Sequence, residues 1–133
     1  MVKTFLAALS LTMLPAMAFA DGHVTGDAAA GEKVFRKCKA CHAVGEGAEN
    51  KVGPVLNGVV DRAFGAVEGF SYSDVLMEMA AEGKTWTPEE LDAFLQKPRS
   101  YLKGTKMSFA GLRKEEDRAN VIAYLASFPA EGS

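Results

Sequence analysis

The residues best suited to do chemistry stand together as Cys38-Lys39-Ala40-Cys41-His42, and they include the chain's two cysteines. Cys-x-x-Cys-His is the pattern of c-type haem attachment. The preceding segment is rich in Ala, Glu and Lys and predicts a helix, on which positions three and four apart share a face. Cys38 and Cys41 can then each reach a haem vinyl group while His42 turns its imidazole towards the iron. The pattern predicts one covalently attached haem c per chain.

Three other interpretations of this pentapeptide are open. A redox-active pair of thioredoxin type favours a preceding strand within a βαβ pattern, and neither is visible. A zinc site needs a fourth ligand, and the only other histidine is His23. Chance occurrence is the third interpretation. An export signal upstream favours haem attachment over all three.

The first twenty residues predict a secretory signal peptide. Lys3 supplies the positive charge, residues 5–14 are apolar, and Ala18 and Ala20 are the small residues at the cleavage positions. The apolar run is short for a transmembrane span, so an uncleaved anchor is the alternative. We expect cleavage after Ala20, which leaves residues 21–133 as one domain in the periplasm.

Length and charge restrict the class further. A chain of 133 residues fits a single domain, and a net charge of −2 disfavours a nucleic-acid binder. No other long apolar run is present, so we expect a soluble monomer without stable membrane insertion.

A haem iron bound by histidine on one side needs a second axial ligand, and methionine in that position raises the reduction potential. Six methionines are present. Three lie in the signal segment, and Met77 and Met79 lie in an Ala-rich helical run. Met107 differs because it lies in a loop-like segment, residues 101–111, that contains two glycines.

With Met107 in place, the chain resembles the class I cytochromes c, particularly the mitochondrial-type and photosynthetic-bacterial "c-two" branch, over about residues 26–128. The resemblance implies an all-α small cytochrome c fold, with about four helices and loops wrapped around one covalently bound haem. The motifs that carry it, in order, are 31–35 (GEKVF), 52–58 (VGPVLNG), Asp61-Arg62, 69–73 (GFSYS), Trp86, 104–109 (GTKMSF) and 121–125 (VIAYL).

The resemblance also implies the ligands of the haem. Cys38 and Cys41 form the thioethers, His42 is the proximal iron ligand and Met107 the distal one.

A second group of residues is implied around that haem. The Pro54 carbonyl accepts a hydrogen bond from His42 Nδ1–H, which fixes the ring. Arg62, Tyr72 and Trp86 hold the haem propionates, because a buried charge without partners is very costly. Core packing is the alternative role for Trp86.

Three positions depart from the mitochondrial-type pattern. Phe94 stands where tyrosine is usual, Leu76 where asparagine is common, and Lys103 where proline is usual. We expect a drier pocket near Met107 and a looser loop before it.

The remaining helices follow from capping and periodicity. Phe35 and Tyr124 should lie where the first and last helices cross, with Gly31 allowing a close approach. The predicted helices cover residues 28–42, 73–82, 88 to just before 98 (Thr87 as N-cap) and 114–128.

The chain is therefore predicted to be an electron carrier that moves one electron at a time by outer-sphere transfer through the haem edge. The family implies ubiquinol–cytochrome c oxidoreductase as donor and an oxidase, a photosynthetic reaction centre or a reductase as acceptor. A haem peroxidase-like enzyme and a subunit of a larger oxidase complex are the alternatives.

Charge placement suggests how such partners would dock. Seven cations flank the predicted haem edge, whereas acids fall on the last helix and tail, so we expect transient electrostatic docking onto an acidic partner. The cations are Lys37, Lys39, Lys51, Lys97, Arg99, Lys103 and Lys106; the acids are Glu115, Glu116, Asp117 and Glu131.

Overall fold

The computed structural model describes residues 24–130, so the predicted signal peptide, His23 and Glu131 lie outside the described residues. This part of the chain is helical and contains no strand, only one isolated bridge between Ala63 and Thr85. None of its helices combines the length and apolar character needed to cross a membrane. The helices are α1 (Ala28–Phe35), α2 (Asp74–Ala81), α3 (Pro88–Gln96), α4 (Pro98–Tyr101) and α5 (Glu115–Ala126).

The contact between α1 and α5 frames the molecule. Gly31 is buried at the crossing, where a Cβ atom would collide with the Asn120 carbonyl and lie 2.8 Å from the Tyr124 Cβ. The Phe35 and Tyr124 rings meet there with centroids 5.3 Å apart. The Asn120 side chain also accepts a 2.8 Å hydrogen bond from the Asp27 amide. The predicted crossing is confirmed.

The first helix is shorter than predicted. It was expected to reach His42, but it ends at Phe35. The next amides bond to carbonyls three residues back, including Cys38 N to Phe35 O at 2.8 Å, which tightens the chain into turns. The segment that carries the cysteines is therefore a series of turns at the end of α1.

Side-chain caps begin three of the helices, including the predicted cap at Thr87. The Asp27, Ser73 and Thr87 side chains accept backbone hydrogen bonds at the starts of α1, α2 and α3. Pro98 ends α3 as predicted, since the residue before a proline avoids helical geometry. Pro98 also starts the one-turn helix α4, which was not predicted, because its fixed φ suits a first helical position.

The crossing yields a stability prediction for Gly31→Ala. Alanine normally stabilises a helix by up to about 1 kcal/mol relative to glycine. Here the added methyl must push α1 away from α5, and we expect a net loss of about 1–3 kcal/mol. Denaturant titration of the holoprotein followed by circular dichroism measures it. A variant as stable as the parent, or more stable, would show that the helices do not meet this closely.

Candidate haem-binding site

The turn after α1 carries both cysteines. The Cys41 and His42 amides donate to the Cys38 carbonyl at 3.1 and 2.9 Å, so one carbonyl accepts both hydrogen bonds that close the turn. The Cys38 side chain is half-buried and packs against the hydrophobic core, whereas Cys41 is exposed. The two thiols therefore differ in environment although they are three residues apart.

The electrostatics of Cys38 do not fit a redox-active thiol. Burial raises the pKa of the Cys38 thiol to about 11, with neighbouring Lys37 opposing the rise and Cys41 adding to it. Thioredoxin-type cysteines instead have a lowered pKa. Residues 24–130 also contain no group of three or more metal-binding side chains of the His, Cys, Asp and Glu type. Neither the thioredoxin-type alternative nor the zinc alternative gains support.

The His42 imidazole is held on two sides. Its Nδ1 lies 2.8 Å from the Pro54 carbonyl oxygen, which can only accept, so Nδ1 carries the proton. Gly53 lies against the ring, and a Cβ on it would be 2.7 Å from Nε2 and 2.8 Å from Nδ1. Burial lowers the pKa of His42, and the bond to Pro54 opposes that effect. A neutral ring protonated at Nδ1 leaves the Nε2 lone pair for a metal.

The loop that presents Pro54 is tied to the segment after His42. The Gly53 amide donates to the Cys41 carbonyl at 2.8 Å. Asn57, only 6% exposed, accepts from the Gly45 amide at 2.7 Å and donates to the Gly45 carbonyl at 2.8 Å. Asn57 lies in the motif at residues 52–58, where no role was predicted for it. Its buried amide closes the loop by bonding to both backbone groups of Gly45.

Arg62 and Trp86 are neighbours through their backbones. The Trp86 amide donates to the Arg62 carbonyl at 2.8 Å, and the Asp61 amide donates to the Trp86 carbonyl at 2.8 Å. Trp86 is 6% exposed and stacks on Phe64 with centroids 3.8 Å apart. Tyr72 is close enough to raise the pKa of Arg62. The structure brings these three predicted residues together.

Arg62 provides the test of whether a propionate fits. Its Nη1 donates to the Val55 and Asn57 carbonyls, both at 3.0 Å. Its Nε is buried and has no hydrogen-bond partner among the described residues. Burial lowers the pKa of Arg62, which reflects the cost of desolvating the guanidinium. A carboxylate beside Nε would offset that cost, so the residues present fit a haem propionate.

Tyr72 is engaged on one side only. Its hydroxyl oxygen accepts a 3.0 Å hydrogen bond from the Val67 amide. That bond leaves the phenolic hydrogen available to donate to an anion near Arg62.

Met107 lies in the segment between α4 and α5. Its amide donates to the Thr105 hydroxyl at 3.2 Å, and its side chain packs against the same hydrophobic core as Cys38. The flanking glycines Gly104 and Gly111 have φ of +95° and +114°, a backbone region that only glycine adopts readily. The predicted loop is confirmed.

Two of the three departures from the family pattern, Phe94 and Leu76, line the apolar interior, whereas Lys103 is exposed. Phe94 is 8% exposed, and its ring lies 5.0 Å from that of Trp86 and 6.0 Å from that of Tyr101. Leu76 is partly buried against the same core. Phe94 and Leu76 therefore place apolar side chains where the family pattern has polar groups.

Comparison with known proteins agrees with this geometry. The family model described as "Cytochrome c" matches residues 28–129. Cytochrome c-550 of Ancylobacter novellus is 54% identical over 105 residues, covering 79% of this chain and 98% of that protein. Cytochrome c2 of Agrobacterium tumefaciens is 47% identical, covering 80% and 99%. The solved structure of cytochrome c2 from Rhodospirillum centenum superposes with a TM-score of 0.75 at 42% identity, covering 79% and 100%.

An α-helical fold around a Cys-x-x-Cys-His turn defines a haem protein of the small c type. The chain belongs to the cytochrome c family. It is an electron-transfer protein that carries covalently bound haem c, rather than an enzyme.

The contact between Gly53 and His42 yields a prediction for Gly53→Ala. A methyl group there must displace the imidazole, because the Pro54 carbonyl holds the other side of the ring. We expect a loss of about 1–3 kcal/mol in stability and faster exchange of the His42 Nδ1 proton, measured by NMR of the reduced holoprotein.

Gly47→Ala is the matched control. Gly47 has φ of +71° and no atom within 4 Å of an added Cβ, so alanine there strains the backbone without touching the ring. Equal effects of the two variants on the Nδ1 proton would contradict the prediction.

Proposed function

We propose that this protein is a soluble periplasmic electron carrier whose haem is attached through Cys38 and Cys41 and ligated by His42 and Met107. The observation that carries the proposal is the fixed His42 ring. A 2.8 Å bond to Pro54 sets its tautomer, and Gly53 lies against the ring, so the Nε2 lone pair is left to ligate the iron. When bound, the haem supplies a one-electron iron couple.

The distal ligand is proposed from chemistry and position. The thioether of Met107 is a neutral, soft donor in a partly buried loop that packs on the core. Of the other methionines in residues 24–130, Met77 is 46% exposed on α2, and a Cβ on Gly65 would lie 2.8 Å from its sulfur. Met79 packs against the core as Met107 does, but it lies within α2. Met107 is therefore proposed because it is the methionine in a loop. With both axial positions filled by protein, no position is left for a substrate.

The propionates are proposed to lie beside Arg62, Tyr72 and Trp86. Arg62 offers an unpartnered buried Nε–H, and Tyr72 offers a hydroxyl proton. A carboxylate placed there receives charge-assisted hydrogen bonds. This arrangement neutralises a buried cation and a buried anion together.

Docking is proposed to use the basic rim, defined as the seven cations named above. All seven are exposed. Lys51 is held near the attachment turn, since its Nζ donates to the Lys39 carbonyl at 2.7 Å. The adjacent Val52 is 78% exposed and adds an apolar contact beside these charges. A small apolar centre with a charged rim suits a brief encounter. The oxidoreductase, oxidase, reaction-centre and reductase partners named above remain proposals of the same kind.

The export prediction and the haem assignment are tested on one preparation. Expressed with a c-type haem maturation system, the protein should have the mass of residues 21–133 plus one haem, and keep that haem under denaturing conditions. The oxidised protein should show the near-infrared band of a Met–Fe(III) bond. Met107→Ala should abolish that band and Met79→Ala should preserve it. Haem without the band would reopen the distal site to an enzyme function, and no covalent haem would overturn the proposal.

The basic rim yields a prediction about salt. The net charge of −2 alone would make oxidation of the reduced protein by anionic hexacyanoferrate(III) faster as ionic strength rises. The rim predicts the opposite, a rate that falls with salt, because the local positive charge attracts the anion.

Two variants with the same charge change separate local from net charge. Lys51→Ala should slow the reaction about fivefold at low salt, because one nearby charge is worth about 1 kcal/mol in water. Lys114→Ala, at the start of α5, should change it far less. Equal effects, or a rate that rises with salt, would count against docking through the rim.

A further inference from the structure

We propose that Arg118, paired with Asp92, is a positioning residue that clamps the C-terminal end of the Met107 loop and so controls how readily Met107 leaves the iron. The proposal rests on the proposed ligation by Met107. The clamp is defined here as Arg118, Asp92 and the carbonyl groups of Leu112 and Arg113.

Arg118 joins three parts of the molecule. It belongs to α5 and is only 6% exposed. Its Nε donates to Asp92 Oδ1 on α3 at 2.7 Å. Its Nη1 donates to the Leu112 carbonyl at 2.9 Å and to the Arg113 carbonyl at 3.1 Å. One guanidinium therefore connects two helices to the segment where the Met107 loop ends.

The same segment is held a second time by α3. The Leu112 amide donates to the Leu95 carbonyl at 2.7 Å. Gly111 approaches so closely that a Cβ on it would collide with the Gln96 carbonyl. The chain from Gly111 to Arg113 is thus fixed between α3 and α5.

The loop also starts from a fixed point, because Leu102 is 1% exposed and its carbonyl accepts from the Thr105 amide at 3.0 Å. The part of the loop around Lys106 and Met107 is held less firmly. Lys106 Nζ reaches the Ser71 carbonyl and hydroxyl at 3.3 Å each, and these contacts are exposed. The Met107 amide bonds only to the nearby Thr105 hydroxyl. Opening should therefore begin around Lys106, with the clamp acting as the fixed pivot. Weakening the pivot should let the loop, and the methionine in it, move further.

Charge and shape both matter in the clamp. The Arg118 side chain is 7% exposed and that of Asp92 is 40% exposed, so the acid keeps contact with water while it neutralises a buried cation. The planar guanidinium can bond in several directions at once, whereas a lysine ammonium on a flexible stem cannot match that geometry. Arg118→Lys therefore keeps the positive charge and loses the planar group that bonds to Asp92, Leu112 and Arg113 at once.

The test measures loop opening in the folded holoprotein. Imidazole added to the oxidised protein binds only when Met107 has left the iron, so its apparent affinity reports the opening equilibrium. Arg118→Lys should raise that affinity about tenfold, the effect of losing a charge-assisted hydrogen bond. Asp92→Asn should raise it less, because the amide oxygen still accepts from Nε. If Arg118→Lys does not fold, the imidazole affinity of Asp92→Asn tests the proposal: an increase supports the clamp and an unchanged value overturns it.

Two controls separate positioning from general stability. Glu90→Gln removes the negative charge from the half-buried pair between Lys84 and Glu90 of α3, where the charged atoms are 3.2 Å apart. Gly31→Ala destabilises the whole fold at the α1–α5 crossing. Glu90→Gln should leave the imidazole affinity within about twofold of the parent. Gly31→Ala shows how much affinity is gained when global stability alone is lost. The clamp variants should gain more imidazole affinity than Gly31→Ala does. If they lower global stability but gain no more affinity than Gly31→Ala, the proposal is overturned.

A second readout does not depend on the iron ligand. Hydrogen exchange at the Leu112 amide should accelerate in Arg118→Lys and not in Glu90→Gln. A parent protein without the near-infrared band would overturn Met107 ligation, which belongs to the proposed function. In that case faster Leu112 exchange would still support the clamp on the loop, and unchanged exchange would overturn it.

Discussion

The close contact between α1 and α5 is the constraint on which the site depends. Gly31 lets the two backbones meet, and Asn120 closes the contact with a side-chain bond to Asp27. Helix α1 leads directly into the turn that carries His42, while α5 carries Arg118, which holds the end of the Met107 loop. The two predicted iron ligands come from distant parts of the chain, and α5 is the element connected to both. Their relative position is therefore a property of helix packing.

Arg118, which is buried, and Arg62, which is half-buried with a buried Nε, differ in how their charges are compensated. Arg118 has an acid and two carbonyls as partners, so protein alone neutralises it. Arg62 has carbonyls, a nearby tyrosine and a buried Nε without a protein partner among residues 24–130. Desolvating a cation is costly unless an anion compensates. The haem propionate proposed beside Arg62 would supply the second anion.

Local sequence signals were sufficient for much of the fold and the site. The cap at Thr87 and the break at Pro98 follow from side-chain hydrogen bonding and proline geometry, and the structure contains both. The His42–Pro54 bond could be expected because a family motif fixes both partners.

The features that were missed depend on long-range contacts. Composition favoured a helix through His42, but the chain tightens after Phe35 because it must turn onto the loop that contains Gly53. Arg118 stands among acids and other polar residues at the start of α5, where a charged side chain normally faces water. Nothing in the local pattern indicates that it is buried. Its partners lie 26 residues back on α3 and in the preceding loop, and only the packed structure brings them within reach.

The unequal anchoring of the Met107 loop fits the demands of electron transfer. A carrier must keep the same ligands in both oxidation states, so the loop needs a fixed position relative to the core. Buried hydrogen bonds at residues 111–113 provide this fixed position, because breaking them leaves buried polar groups without another partner. Exposed contacts at Lys106 exchange readily with water and contribute little. The loop is thus rigid where it meets α3 and α5 and more easily opened beside the basic rim, the surface proposed to meet redox partners.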